Sequence, residues 1–263
     1  DQQFLSQEQV ATTVLTLADD AQAKILNGKI IPGDRVFYPV KSHIRSSVPK
    51  MEKNNLDGKA CSITLSDQGN PYDDDPPLSA EKVAGNFVKL LENEGGRMVG
   101  FDESEDGLHV HFTGDVPNFS KLTELSRSEW DKLVDKFINV PAKTTQEAID
   151  FFVPGGSDDP RKFKDVKGRI IIIGPALPAG KKISGHERAK VEVFRGALRP
   201  FATTINQELS DVLKSNIRVF LILPGTVDGK EPSNENIMNT INYLMTDDAA
   251  SSSEVIFCPD ETR

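Results

Sequence analysis

Two cysteines in 263 residues leave almost nothing from which to build a disulfide framework or a zinc centre. Cys61 and Cys258 each lie inside an apolar, β-like run, so the expected state of both is a buried thiol in a reducing compartment. Histidine is equally sparse. His43, His109, His111 and His186 have no Cys/His/Asp cluster at zinc spacing around them, and no metal site is expected. Apolar runs stop far short of the ~20 residues that cross a bilayer, and the first residues lack the basic, apolar character of a signal segment. The expected location is the cytoplasm, with no membrane partner. Without a secretion signal the triplet Asn118-Phe119-Ser120 carries no weight as a glycosylation site. Basic residues are outnumbered, 31 Lys+Arg against 40 Asp+Glu, for a net charge of −9. Such a chain has no surplus of positive charge with which to hold nucleic acid. What remains, at 37% hydrophobic and 27% charged with 19 Gly and 16 Pro, is a globular composition with a core to bury.

An internal repeat organises the chain. Residues 8–34 (EQVATTVLTLADDAQAKILNGKIIPGD) and 235–260 (ENIMNTINYLMTDDAASSSEVIFCPD) share an amphipathic helix, an Asp-Asp-Ala hinge and a short apolar strand closed by Pro or Pro-Asp. The hinges, Asp19-Asp20-Ala21 and Asp247-Asp248-Ala249, lie about one α/β domain apart. The expected organisation is therefore a closing helix and strand of a preceding unit over 1–38, a polar linker over 39–56 with Pro39 and Pro49, and a complete α/β domain over 57–263.

Within that domain strand and helix patterns alternate. Lys59–Leu65 is a first apolar run, followed by a loop holding Gly69, Pro71, Pro76, Pro77 and Asp73-Asp74-Asp75. Ser79–Leu91 has helical apolar spacing at Val83, Phe87, Leu90 and Leu91, with Ser79 as a cap. Arg97–Phe101 and Leu108–Phe112 read as short strands, with His109 and His111 alternating on one face of the second. Ser126–Asn139 reads as a helix opened by a Ser126/Glu129 capping box. Gly168–Ile173 (GRIIII) and Ile217–Leu223 (IRVFLIL) are continuous apolar strands, and Glu187–Leu213 is a long helix pattern with Pro200 inside it. Continuous apolar strands between helices predict a doubly wound, mostly parallel sheet covered on both faces.

These pieces, in this order, resemble the short-chain dehydrogenase/reductase family, a Rossmann fold. LDGKACSITLS is similar to that family's opening strand, SRSEWDKLVDKF to the helix after its fourth strand, GRIIII to its fifth strand, FATTINQEL to its long dimer helix and IRVFLILPGTV to its sixth strand. The resemblance implies a dinucleotide cleft and a reductase site, and the residues for both are missing. The family's phosphate loop becomes Thr64-Leu65-Ser66-Asp67-Gln68-Gly69-Asn70-Pro71, where only Thr64 and Gly69 survive as vestiges. Leu65 and Pro71 hinder close approach, and three aspartates stand where phosphates would lie. Aligned without gaps from Glu208, the family's tyrosine falls on Val191 and its lysine on Arg195. Its serine falls on Pro175, and its asparagine near Phe137, two residues before Asn139. His186 and Lys190 share the four-residue spacing of the acid pair, one turn early, and are the weak substitutes. Asp102 stands where a ribose-binding acid would, and Pro224-Gly225 keep the family's turn. Between the second and third strands only Asp102–Gly107 intervene, where the family places a helix, a strand and a helix, so the domain is shortened.

An active reductase unit joined by a polar linker to a reductase-like unit without catalytic residues is the layout of bacterial malonyl-CoA reductases. The stretch Val36–Ile63 resembles the junction inside such proteins. Tandem 3-oxoacyl reductases with a degenerate half are the nearest rival. The expected function is a non-catalytic structural partner of a homologous NADPH-dependent short-chain reductase unit, in the same or another chain. The expected contact is a dimer through the Ser126–Asn139 and Glu187–Leu213 helices, and no cofactor, or NADP if any, is expected. Two alternatives stand beside it. One is an active NAD(P)-dependent oxidoreductase with an atypical site. The other is an acyl-thioester binding module using the cleft near Gly174, Pro175 and Gly225-Thr226.

Overall fold

The computed structural model of the chain describes residues 56–66, 80–100, 107–117, 121–153, 159–164, 166–177, 185–225, 234–246, 249 and 255–258. The repeat segment 1–38, residues 39–55 of the linker, Gly69, Pro71, the Asp73–Asp75 run, Asp102 and Thr226 lie outside the described residues. Leu56, last of the stretch read as linker, is fully buried in the core.

Among the described residues six strands form one parallel sheet: β1 (Ala60–Leu65), β2 (Arg97–Val99), β3 (Leu108–Phe112), β4 (Lys167–Ile173), β5 (Asn216–Pro224) and β6 (Val255–Cys258). Their spatial order is β2-β1-β3-β4-β5-β6. The chain steps outward from β1 to β2 and then returns past β1 to β3, so the winding reverses between β1 and β3. In an open α/β sheet the crevice at such a reversal, outside the C-terminal strand ends, is where ligands bind. β2 is the edge strand on that side, which agrees with the missing helix–strand–helix insertion.

The α-helices among the described residues are α1 (Ala80–Asn93), α2 (Arg127–Val134), α3 (Val140–Phe152), α4 (Gly185–Gln207) and α5 (Asn234–Leu244). Ser126 caps α2 as expected: its hydroxyl accepts from Glu129 N at 3.2 Å, and the Glu129 carboxylate accepts from Ser126 N at 2.7 Å. The helix does not end at Asn139, however. A π turn over Asp135–Asn139 leads directly into α3, and Pro141 sits in the first turn of α3, just after that π turn. α4 runs through Pro200 and closes in a second π turn, Glu208–Val212.

Strand alternation sorts the core into two layers. Val110, Phe112, Ile171, Ile173, Phe220 and Ile222 pack with Phe87, Leu91, Ile237 and Ile241 of α1 and α5. Ile170, Ile172, Val219, Leu221 and Leu223 pack with Ala148, Ile149, Leu198 and Ala202 of α3 and α4. Each fully buried Ile or Leu contributes about 1.5–3 kcal/mol, which is why the GRIIII and IRVFLIL runs form the middle of the sheet. Below the start of β6, the outer edge of β5 is satisfied by a side chain. Asn206 of α4 donates Nδ2 to Val219 O at 2.6 Å and accepts Val219 N on Oδ1 at 2.9 Å, standing in for a neighbouring strand.

Candidate functional site

The C-terminal edge of the sheet carries two distinct local arrangements, one at the ends of β4 and β5 and one between β1 and β3.

At the first, the structure brings together two of the four residues counted off against the resembled family, Pro175 and Arg195. Pro175 follows the end of β4, and Pro224 ends β5. Arg195 of α4 reaches between them, fully buried, with Nη1 donating to Pro175 O at 3.1 Å and to Pro224 O at 2.5 Å. The guanidinium thus ties two adjacent strand ends together with charge-assisted bonds. Its Nε lies 3.5 Å from Glu192, one turn back on the same helix, and Arg188 and Arg199 share that carboxylate at 3.8 and 3.0 Å. Val191 is buried and has no proton to give. Phe137, in the π turn, is fully buried against Phe194, ring centroids 4.8 Å apart, and Trp130 meets Phe194 at 5.9 Å. These rings form an aromatic cluster that packs α2 onto α4. Asn139, the nearby amide, is exposed and bonds Asp135 at 3.3 Å. Lys190 is buried, while the side chain of His186 lies outside the described residues. Gly225 is buried at the end of β5.

The second arrangement was not singled out from the sequence. On the α3/α4 face β4 and β5 present aliphatic side chains, but β1 and β3 present Ser62, Thr64, His109 and His111. These form one hydrogen-bonded row along the sheet. Ser62 Oγ lies 3.0 Å from His109 Nδ1, and Thr64 Oγ1 lies 3.2 Å from His109 Nε2 and 2.8 Å from His111 Nδ1. Ser66 Oγ lies 2.9 Å from His111 Nε2. Thr144 of α3 covers the row at 3.4 Å from His111 Nδ1. The parallel register sets Ser62 opposite His109 and Thr64 opposite His111, which is why the pattern closes. Burial pushes His109 down to about 3, helped by the neighbouring His111, and pushes His111 down to about 4, so both imidazoles are neutral at pH 7. Thr64 is therefore a member of this row. The signal that could have found it was the S-x-T-x-S of β1 beside the H-x-H of β3, two polar alternations in adjacent parallel strands.

Cys61 faces the opposite layer, fully buried, where desolvation pushes its thiol up to about 12 and makes it inert. Among the described residues no three His, Cys, Asp or Glu side chains converge as metal ligands, and no helix is long and apolar enough to cross a membrane.

No family model and no curated protein sequence matches the chain. Solved structures do. A short chain dehydrogenase from Mycobacterium smegmatis superposes with a TM-score of 0.53 at 14% identity, covering 83% of this chain and 99% of that one. A provisionally assigned 2-deoxy-D-gluconate 3-dehydrogenase from Agrobacterium tumefaciens, with NADP bound, gives 0.52 at 13% identity, covering 80% and 98%. The parallel sheet, its winding order and these superpositions together show that the chain has the α/β Rossmann fold of the short-chain dehydrogenases.

Proposed function

We propose that this chain is a reductase-fold unit that transfers no hydride itself and serves as a structural partner of an active NADPH-dependent short-chain reductase. The observation that supports the reading is Arg195. In the resembled family a tyrosine acts as general acid and a lysine four residues on holds the cofactor's ribose. Here Val191 has no ionisable group, and the Arg195 guanidinium is held by the Pro175 and Pro224 carbonyls. A guanidinium stays protonated throughout the working pH range, so it is no proton donor for carbonyl reduction. The donor set does not fit the nicotinamide–ribose end of a dinucleotide, although a fold neighbour was solved with NADP. The partner role draws on the helices. α2 and α4 pack together through Phe137 and Phe194, while Val193, Phe151 and Val212 leave apolar surface exposed along α4, α3 and the second π turn.

In this reading the active unit reduces malonyl-CoA or a 3-oxoacyl thioester in the cytoplasm, and residues 1–38 close that unit's sheet. The natural polypeptide before Asp1 then encodes an intact Gly-rich loop and a Tyr-x-x-x-Lys pair. The direct test is NADPH fluorescence titration of the chain, followed by NADPH oxidation with malonyl-CoA, malonate semialdehyde and acetoacetyl-CoA. No binding at micromolar cofactor and no turnover are expected. Turnover that vanishes in His186→Ala would overturn the proposal and assign an active enzyme.

A further inference from the structure

The end of the sheet opposite the crevice is built where α3, a short 3-10 helix over Pro160–Phe163 and the second π turn run into the first residues of β4 and β5. Val166 O accepts there from Asn216 N at 2.9 Å, and the Phe152 ring stands where a side chain at Gly168 would be, so the three segments meet in one surface. Two of the four large apolar side chains exposed among the described residues lie here, Phe151 at 52% and Val212 at 72%. Around them the charge balance of the chain is reversed. Residues 159–169 and 208–218 hold seven Lys or Arg against four Asp or Glu, in a chain with 31 against 40. Lys164, Lys167 and Lys214 are exposed, Arg218 is half-buried, and none of the four has an ion pair among the described residues. Parallel pairing sets Arg218 directly opposite Arg169, an arrangement of like charges that is unfavourable by itself. Of the acids at this end, Asp159 holds Arg161 at 2.8 Å, Asp211 accepts from the Ser210 hydroxyl at 3.0 Å, and Glu208 is exposed.

Local structure does not call for these cations. β4 and β5 are interior strands, so Lys167 and Arg218 guard no sheet edge. Lys214 follows the π turn in the left-handed region, φ 54°, where glycine sits without strain, and Ser215 N reaches back past it to Leu209 O at 2.8 Å. The dipole of α4 favours a cation near this point, but a neighbouring position would supply it without strain. We infer that this end of the sheet is a docking surface for an acidic amphipathic segment of a partner protein. Its carboxylates meet Lys164, Lys167, Lys214 and Arg218, and its apolar side chains cover Phe151 and Val212. Charge complementarity selects an acidic partner. The exposed apolar pair and the net charge of −9 select a protein segment over nucleic acid or an anionic bilayer, because an extended polyanion is repelled by the rest of the molecule.

The inference narrows the structural-partner reading, which draws on the same two apolar side chains, but it lies away from the crevice. NADPH turnover by the chain would overturn that reading and leave this one standing. The experiment is fluorescence anisotropy of the whole chain at low salt with a fluorescein-labelled peptide of Leu-Glu-Glu-Leu-Ala-Glu repeats. The peptide should bind, and added salt should weaken it. Lys167→Glu/Lys214→Glu should weaken binding about tenfold, and Phe151→Ser/Val212→Ser about tenfold. Lys214→Gly should weaken it about threefold while the urea midpoint holds or rises, a split that a purely structural lysine would not give. Undiminished binding by the charge-reversal variant, a lowered midpoint in Lys214→Gly, or no binding by the wild type overturns the docking surface. Equal binding of the same peptide with Ser in place of Leu, of duplex DNA or of phosphatidylserine vesicles overturns the partner class.

Discussion

Acid should loosen this fold through two histidines. His109 and His111 are fully buried, and their folded pKa values, about 3 and about 4, lie below the ordinary 6.5. Between pH 6.5 and 4 the unfolded chain therefore carries protons on both rings that the folded chain refuses. The stability these neutral rings lend is fully present above pH 6.5 and is lost as pH falls towards the folded values. One pKa unit corresponds to about 1.4 kcal/mol, so lowering pH from 7 to 5 costs about 2 kcal/mol per ring and about 4 kcal/mol for both. That is a large part of a typical domain's ~5–15 kcal/mol. The side chains bonded to the rings, Ser62, Thr64, Ser66 and Thr144, are hydroxyls and carry no charge to stabilise an imidazolium. The assay is urea unfolding across pH 5–7 for the wild type and for His109→Asn/His111→Asn. The double variant starts less stable but should lose about 4 kcal/mol less over the range. Equal losses in the two proteins, within about 1 kcal/mol, would refute burial of neutral rings.

Two other sites give sharp expectations. Arg195→Met removes two charge-assisted bonds of about 1.5–3 kcal/mol each and partly recovers the cost of burying a guanidinium, for a net loss of about 3 kcal/mol. A urea midpoint unchanged to within about 0.5 kcal/mol would mean that the clamp between β4 and β5 contributes nothing. Asn206→Leu strips the partners from Val219 N and O inside the α4–β5 interface and should destabilise by about 2–4 kcal/mol. Amide hydrogen exchange at Val219 reads the same loss locally, and unchanged protection there would show that the side chain is not the strand's stand-in.

The fold was legible because its signals are local and redundant. GRIIII and IRVFLIL announce central strands by length of apolar run, and the Ser126/Glu129 spacing announces a helix start that the structure reproduces. The end of that helix was not legible. Pro141 two residues beyond Asn139 suggests a stop in one dimension, whereas a π turn changes the phase and lets the helix restart with proline in its first turn. Pro175, Val191 and Arg195 could be counted along the chain against the resembled family's pattern. That the guanidinium bridges two strand ends could not, because its partners are backbone carbonyls 20 and 29 residues away.

Sequence by itself determined the class of fold and the parallel sheet, since these follow from apolar periodicity. Only the tertiary structure decided what the polar residues do. His109 and His111 share a strand face and Thr64 stands near a vestigial loop in the sequence, but Ser62, Thr64, Ser66, His109 and His111 become one group only when parallel pairing sets His109 beside Ser62 and His111 beside Thr64. Burial then removes water from Ser62, His109 and His111, whose polar atoms must find partners within the protein. A hydrogen-bonded row across two strands is a property of that pairing, and no single residue in the sequence contains it.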